Sequence, residues 1–416
     1  MEDSSAEETE SVRPSRRRRA AADSLEPTPA VPEKIGRYEL CFELASGGMA
    51  SVYLARAEGA PGFQKIVALK RIHPHLASER DYVEMFLDEA RIASRITHAN
   101  VCSVFDFGEA DGEYYIAMEY LVGEPLSRVH RRVVANADQR ASTLLPGRMA
   151  RVVAQACEGL HAAHELKDAD GESLHVVHRD VSAENLFVTY DGDVQVVDFG
   201  IAHARQRVHH TEAGQVKGTF PYMAPEQMTA AIVDRRVDVW ALGAVLWELL
   251  TLRRLFLRDT DVNTMYAVLS SEIRPPSDYR SDVSPELDEI VLKALRRSPD
   301  ERWQSTREMG NALRRFLANQ EDLVGPAEIA DWMVELFPNG EARKQQLMEI
   351  ARTSDASIIS DPPRRPQDKS GRRGVRIPPT GGRRIPPPPP LPASLLVMVI
   401  GVATVLTVVA LDWLRQ

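Results

Sequence analysis

"HRDVSAEN", residues 178–185, puts an aspartate, Asp180, and an asparagine, Asn185, on one short stretch with four residues between them. Thirteen residues after Asn185, "VVDFGIA" ends a strand-like run on Asp198 and a Phe-Gly turn. A hard Mg²⁺ ion needs oxygen ligands, and a carboxylate between a strand end and a glycine turn can supply them. Such a strand end occurs by chance in many proteins, so the order of what surrounds it carries the weight.

Working outward, the 416 residues exceed the usual size of one hydrophobic core, so two lobes plus appendages are expected. An apolar content of 44% is that of a globular protein, and a net charge of −9 gives no global reason to bind nucleic acid. Three widely spaced cysteines, Cys41, Cys102 and Cys157, argue against a disulfide framework or a zinc site and fit a reducing compartment. The histidine pairs His161/His164 and His209/His210 have no cysteine or carboxylate cluster to complete a metal site and read as structural.

Residues 1–36 are polar, carry the run Arg16–Arg19 and hold Pro27, Pro29 and Pro32; they read as a disordered, solvated arm with no apolar leader segment. From Arg37, "RYELCFELASGGMASVYLARA" alternates as strand, glycine turn, strand, and "KIVALKRI" is a third strand. "SERDYVEMFLDEARIASRI" has helical periodicity, with Ser78 placed to cap it, and "EYYIAMEYL" is a further strand. Beyond Gly123 the chain is mainly helical, interrupted by the strand-like pieces "NLFVTY" and "VQVVDFG". Residues 319–351 read as two amphipathic helices with Ile329, Trp332, Met333 and Leu336 on one face, and no chemistry can be assigned to them.

In this order the motifs resemble those of protein kinases, specifically the bacterial Hanks-type serine/threonine kinases, over about residues 37–318. The resemblance implies an α+β, bilobal kinase-like fold: a small β-rich lobe over 37–121 and a large helical lobe over 122–318. It implies ATP as phosphate donor, Mg²⁺ (or Mn²⁺) as the ion, and protein substrates. "ELASGGMASVYLA" would be the loop over the ATP phosphates, with Ala45, Gly47 and Ala50 where the family has glycines, Gly48 added, and Val52 above the adenine. Ala68 and Lys70 of "VALK" would line the nucleotide, Lys70 holding the α/β-phosphates with Glu89 as its ion-pair partner. Met118 would stand behind the adenine pocket, and the backbones of Glu119 and Leu121 would meet the adenine edge. Asp180 would orient the substrate hydroxyl, and Asn185 and Asp198 would hold the metal.

The same resemblance assigns Thr211, the only Ser, Thr or Tyr between Asp198 and Gly218, as an activating phosphorylation site gripped by Arg179, with Thr219 aligned toward substrate. Glu226 of "APE" would pair with Arg302 of "SPDERW", and Asp238 of "DVWALG" would anchor the catalytic-loop backbone. "GTFPYMAPE" has the serine/threonine form. Ser182 departs from the family, which usually has lysine there, as Ala45 and Ala50 depart from its glycines. These departures motivate an alternative, a nucleotide-binding pseudokinase acting as a membrane scaffold. A kinase-fold enzyme acting on small molecules is disfavoured by the "GTFPYMAPE" platform.

Residues 352–390, rich in Pro, Gly and Arg, read as an extended linker. "LPASLLVMVIGVATVLTVVAL", residues 391–411, carries no charge and is long enough to cross a bilayer. The arginines before it predict a single-pass, tail-anchored protein at the cell membrane with its lobes in the cytoplasm. Only residues 412–416 follow, so no outer ligand-binding domain is expected. Self-association with phosphorylation in trans is a further partner arrangement the family allows.

Overall fold

The computed structural model describes residues 28–59, 64–199, 220–229 and 232–353. Six strands, β1 (Thr28–Ile35), β2 (Tyr38–Ser46), β3 (Ala50–Glu58), β4 (Gln64–Ile72), β5 (Val104–Ala110) and β6 (Glu113–Met118), form one antiparallel sheet in the order β1-β2-β3-β4-β6-β5. Helix α1 (Arg80–Ala93) lies on it through Val83, Phe86 and Ala90, buried with Ile72 and Ile116.

The register of the sheet decides what meets at the cleft. Lys70 pairs across to Val52 on one side and Ile116 on the other, and Ala68 pairs with Met118. Because side chains alternate faces along a strand, Ala68 and Lys70 point the same way. The hairpin between β2 and β3 is closed by the Gly47 N–H donating to the Ala50 carbonyl at 2.9 Å and by paired Ser46 and Ser51 hydroxyls at 2.8 Å.

The large lobe starts with β7 (Gly123–Pro125), α2 (Leu126–Ala135), α3 (Ala137–Ala141) and α4 (Leu145–His164). Strands β8 (Leu186–Thr189) and β9 (Val194–Val196) join β7 in a three-stranded sheet, ordered β7-β8-β9. Then follow α5 (Pro225–Met228), α6 (Arg236–Thr251), α7 (Asp261–Ser270), α8 (Pro285–Ala294) and α9 (Thr306–Ala318). Every residue of α6 from Val237 to Thr251 is buried, which explains its apolar run from Val239 to Trp247 between the two buried carboxylates Asp238 and Glu248: a helix enclosed on all sides needs no polar face.

Four expectations change. Strand β1 occupies Thr28–Ile35, inside the segment read as an arm; it pairs with the edge of β2, where its prolines are tolerated because an edge strand can leave one row of N–H positions unused. Ser78 does not cap α1: Glu79 is the cap residue, and the Ser78 hydroxyl donates instead to the His75 carbonyl of the preceding turn at 3.2 Å. Strand β5 was hidden in "VFDFGEA"; it joins β6 through Asp111 and Gly112, both at positive φ, the pairing that a two-residue hairpin demands. The core also runs on past Asn319, because Ile329, Trp332, Met333 and Leu336 of α10 (Pro326–Leu336) are buried in the large-lobe core, and α11 (Gly340–Thr353) follows.

Thr211, Thr219, the linker 352–390 beyond Thr353, the apolar run 391–411, the tail 412–416 and residues 1–27 of the arm lie outside the described residues. Among the described residues, no helix is long and apolar enough to cross a membrane.

Candidate active site

Lys70 donates to Glu89 at 2.7 Å and to Asp198 at 2.9 Å, so β4, α1 and the end of the β9 segment converge on one ammonium group. Burial opposes the charge on Lys70, but the Asp198 and Glu89 carboxylates outweigh it and push its pKa up. Burial also raises Glu89, to about 7, against the pull of Lys70, and the nearby Asp198 adds repulsion. Asp198 is the most open of the three, its side chain 40% exposed, and faces a cavity bounded by Lys70, Glu89, Cys102, Met118 and Phe199.

Opposite this cluster, Asn185 donates to the Asp180 carboxylate at 3.1 Å and to the Asp180 carbonyl at 2.8 Å. Both donors of that carboxamide point inward to Asp180, which leaves its oxygen as the group able to accept from, or ligate, something else. The Val197 N–H donates to the Asn185 carbonyl at 3.0 Å, bringing Asn185 alongside the residue before Asp198. A carboxylate and a carboxamide oxygen at the mouth of the cleft suit a small hard cation that keeps waters and phosphate oxygens as its other ligands. Among the described residues there is no cluster of three or more His, Cys, Asp or Glu able to cage a metal by themselves.

The loop is held by groups that local sequence does not advertise. His178 accepts the Asp180 N–H at Nδ1 (3.3 Å), so Nε2 carries the proton and donates to the Val197 carbonyl at 3.2 Å. Its ring packs on Phe199 with centroids 4.8 Å apart. One imidazole therefore ties the Asp180 loop to the Asp198 turn. Asp238 on α6, fully buried, accepts the N–H groups of His178 (2.9 Å) and Arg179 (2.8 Å) and a bond from His164 of α4 (2.8 Å). Burial resists its charge, yet the bond from His164 and the neighbouring histidines win and lower its pKa. The spacing of His164 on α4 carries no mark of this role, since the partner lies 74 residues away.

Glu226 and Arg302 form a two-bond ion pair at 2.6 and 2.8 Å. The remaining guanidinium N–H groups donate to the carbonyls of Arg296, Arg236 and Arg297, so all five are used, and the plane lies 5.0 Å from the Trp240 ring centroid. On the adenine side, the Glu119 N–H donates to the Ser103 carbonyl at 2.9 Å, and Leu121 is buried at the start of the large lobe. Ala45 pairs with Val52 in the β2–β3 register, Ala50 is buried, and Gly48 has open space where a side chain would stand. Ser182 is buried too, and its carbonyl accepts the Asn185 N–H at 3.1 Å.

A small sheet lobe, a helical lobe and a lysine–glutamate–aspartate cluster facing an Asp–Asn loop define the fold and site of the protein kinase class. Comparison with known proteins agrees. The family model for the protein kinase domain matches residues 38–312. The chain is 45% identical over 283 residues to the tyrosine-protein kinase MasK of Myxococcus xanthus, covering 68% of this chain and 43% of that protein. It is 36% identical over 279 residues to the serine/threonine-protein kinase PknB of Mycolicibacterium smegmatis, covering 66% of this chain and 42% of the relative. The chain thus spans less than half the length of these two curated relatives. The crystal structure of the Mycobacterium tuberculosis PknI kinase domain superposes with a TM-score of 0.50 at 26% identity, covering 69% of this chain and 98% of that one. The chain belongs to the protein kinase family, in its bacterial Hanks-type branch.

Proposed function

We propose that this protein transfers the γ-phosphoryl group of ATP to serine or threonine hydroxyls of other proteins. The observation that carries the reading is Lys70 bonded to both Glu89 and Asp198 across from the Asp180–Asn185 loop. Lys70, released from part of its pairing with Asp198, binds the α/β-phosphates, and Glu89 keeps it aimed. Asn185 and Asp198 would hold Mg²⁺, which would supply positive charge to offset that of the phosphates. Asp180 accepts the proton of the substrate hydroxyl as its oxygen bonds to the γ-phosphorus and the bond to the β–γ bridging oxygen breaks, leaving ADP. The loop geometry rests on Asn185, His178 and Asp238, none of which depends on a lysine at position 182. That favours an active enzyme over a scaffold that binds nucleotide only.

The proposal extends to regulation and place. Thr211 is the proposed autophosphorylation site, its phosphate received by Arg179 and delivered by a second copy. Residues 391–411 anchor the chain in the cell membrane with both lobes on the cytoplasmic side. A second reading, transfer to tyrosine, is favoured by the likeness to the tyrosine-protein kinase MasK. Incubation with γ-labelled ATP and a protein substrate, followed by phosphoamino-acid analysis, separates these. Phosphoserine or phosphothreonine that vanishes in Asp198→Ala supports the first reading, phosphotyrosine the second, and label unchanged in a folded Asp198→Ala overturns the site. Removing residues 391–416 should move the protein from the membrane to the soluble fraction. A full-length chain soluble without detergent would remove the anchor from the account.

A further inference from the structure

Helix α11 has no counterpart in the chemistry above, yet it touches both lobes. Its 14 residues span about 21 Å at 1.5 Å per residue. At its first residue, Gly340, a Cβ atom would lie 1.8 Å from the Tyr190 hydroxyl, so only glycine lets the helix sit on that ring. Tyr190 itself donates to Glu124 of β7 at 3.0 Å, and Lys344 stands 5.8 Å from the Phe187 ring centroid on β8. The preceding helix is seated on the large lobe in the same manner. Trp332 is wholly buried and donates to Gln139 at 2.7 Å, and a Cβ at Gly192, whose φ is +87°, would meet the Pro326 carbonyl at 1.9 Å.

The other end of α11 belongs to the small lobe. Ala351, wholly buried, forms one apolar cluster with Cys41, Phe42, Leu54 and Ile66, against which Leu347, Met348, Leu44 and Tyr120 also pack. Arg56 donates to the carbonyls of Ala351 and Arg352 at 3.3 and 3.1 Å, a cation set on the unpaired acceptors of a helix C-terminus. Arg56 in turn is held by the buried carboxylate of Glu39, directly opposite it across β2–β3. This covering explains why Tyr38 to Phe42 are buried in succession rather than alternately.

Two members of that cluster adjoin the nucleotide site. Leu44 precedes Ala45 at the root of the hairpin over the phosphates, and Tyr120 lies between Glu119 and Leu121 in the connection between lobes. We infer that α11 is a strap that positions the ATP site, Leu347 and Met348 bracing Leu44 and Tyr120 while Gly340 fixes the other end on the large lobe. The inference rests on the nucleotide reading given above and adds a positioning role for residues outside the kinase motifs. Since the strap spans the connection, its docking and the closure of the lobes on ATP are linked equilibria, and each must favour the other by the same factor.

The test uses the full-length chain and equilibrium binding of a fluorescent ATP analogue with Mg²⁺, read beside kinetics. Leu347→Ala combined with Met348→Ala is expected to weaken analogue binding and raise KM for ATP by about five-fold or more, with a smaller change in kcat. Gln139→Ala, which loosens Trp332 on the large lobe alone, is expected to leave both values at those of the parent. Should the double variant fail to fold, Met348→Ala alone is expected to show the same direction, and amide exchange in the unaltered protein gives an independent reading: saturating analogue should slow exchange along residues 340–353. A folded variant with unchanged analogue affinity, or exchange in α11 indifferent to the analogue, overturns the strap. An unaltered chain that binds no analogue overturns the nucleotide site and the strap together, whereas one that binds but transfers no phosphate overturns only the kinase activity.

Discussion

Asp238 accepts the backbone N–H of Arg179 at 2.8 Å, and Arg179 is held at φ +66°, a left-handed conformation that costs a non-glycine residue roughly 1 kcal/mol or more. The carboxylate on α6 therefore sustains a strained turn 59 residues earlier in the chain, directly before Asp180. Replacing Asp238 with asparagine leaves one acceptor oxygen for N–H groups that now use two and turns an NH₂ toward a buried donor. Asp238→Asn should destabilise the fold by about 2 kcal/mol or more. Phosphotransfer should drop about 100-fold as Asp180 shifts from its working position, while affinity for an ATP analogue stays within a few-fold. Urea unfolding and steady-state kinetics check both. Full turnover in the variant would show that the clamp is dispensable.

Lys70→Met removes the ammonium shared by Glu89 and Asp198. Phosphotransfer should fall by at least about two orders of magnitude, because a cation aimed at transferring phosphate is worth several kcal/mol in a water-poor site. The fold should persist, since the buried Glu89 can take up a proton in place of its lost partner. Circular dichroism together with γ-labelled ATP incorporation tests this, and wild-type turnover in the folded variant would count against the assigned role.

Glu89 titrates in the folded protein near 7, above the usual carboxylate range, because burial and Asp198 disfavour its ionised form more than Lys70 favours it. Below that pH the residue is protonated and its ion pair with Lys70 is lost, so kcat/KM should fall on the acid side with a midpoint near 7. Stability moves in the opposite sense. The folded state binds this proton more tightly than the unfolded state, so the contribution is complete below the unfolded carboxylate value and is lost as pH rises through about 7. Glu89→Gln should show lower activity and no acid limb of this origin. An identical acid limb in Glu89→Gln would assign the titration elsewhere.

Arg302→Met should cost about 3–5 kcal/mol, the usual consequence of leaving one member of a buried ion pair without its partner. Here the orphan would be Glu226, whose carboxylate otherwise receives two guanidinium bonds. The reverse loss in Glu226→Gln should be smaller, since three of the five Arg302 donors go to carbonyls that remain. Denaturant midpoints of the two variants rank them, and equal losses would mean the carbonyl contacts contribute little.

The class of the protein was readable from short local stretches. "HRDVSAEN", "VVDFGIA" and "VALK" are legible because they belong to motifs whose order along the chain is specific, and because strands and helices announce themselves by periodicity. The pairs Lys70–Glu89 and Glu226–Arg302 were also nameable, although nothing in the residues between them says that they touch. Tertiary structure alone decided three things. It paired "TPAVPEKI" with the edge of β2, because an edge accepts prolines that composition alone assigns to an arm. It made His164 and His178 supports of the Asp180 loop, since a ring nitrogen's role depends on which distant carboxylate or carbonyl faces it. And it folded residues 340–353 back over β2 and β3, because the apolar outer face of those strands is buried by covering and a helix far along the sequence from them covers it.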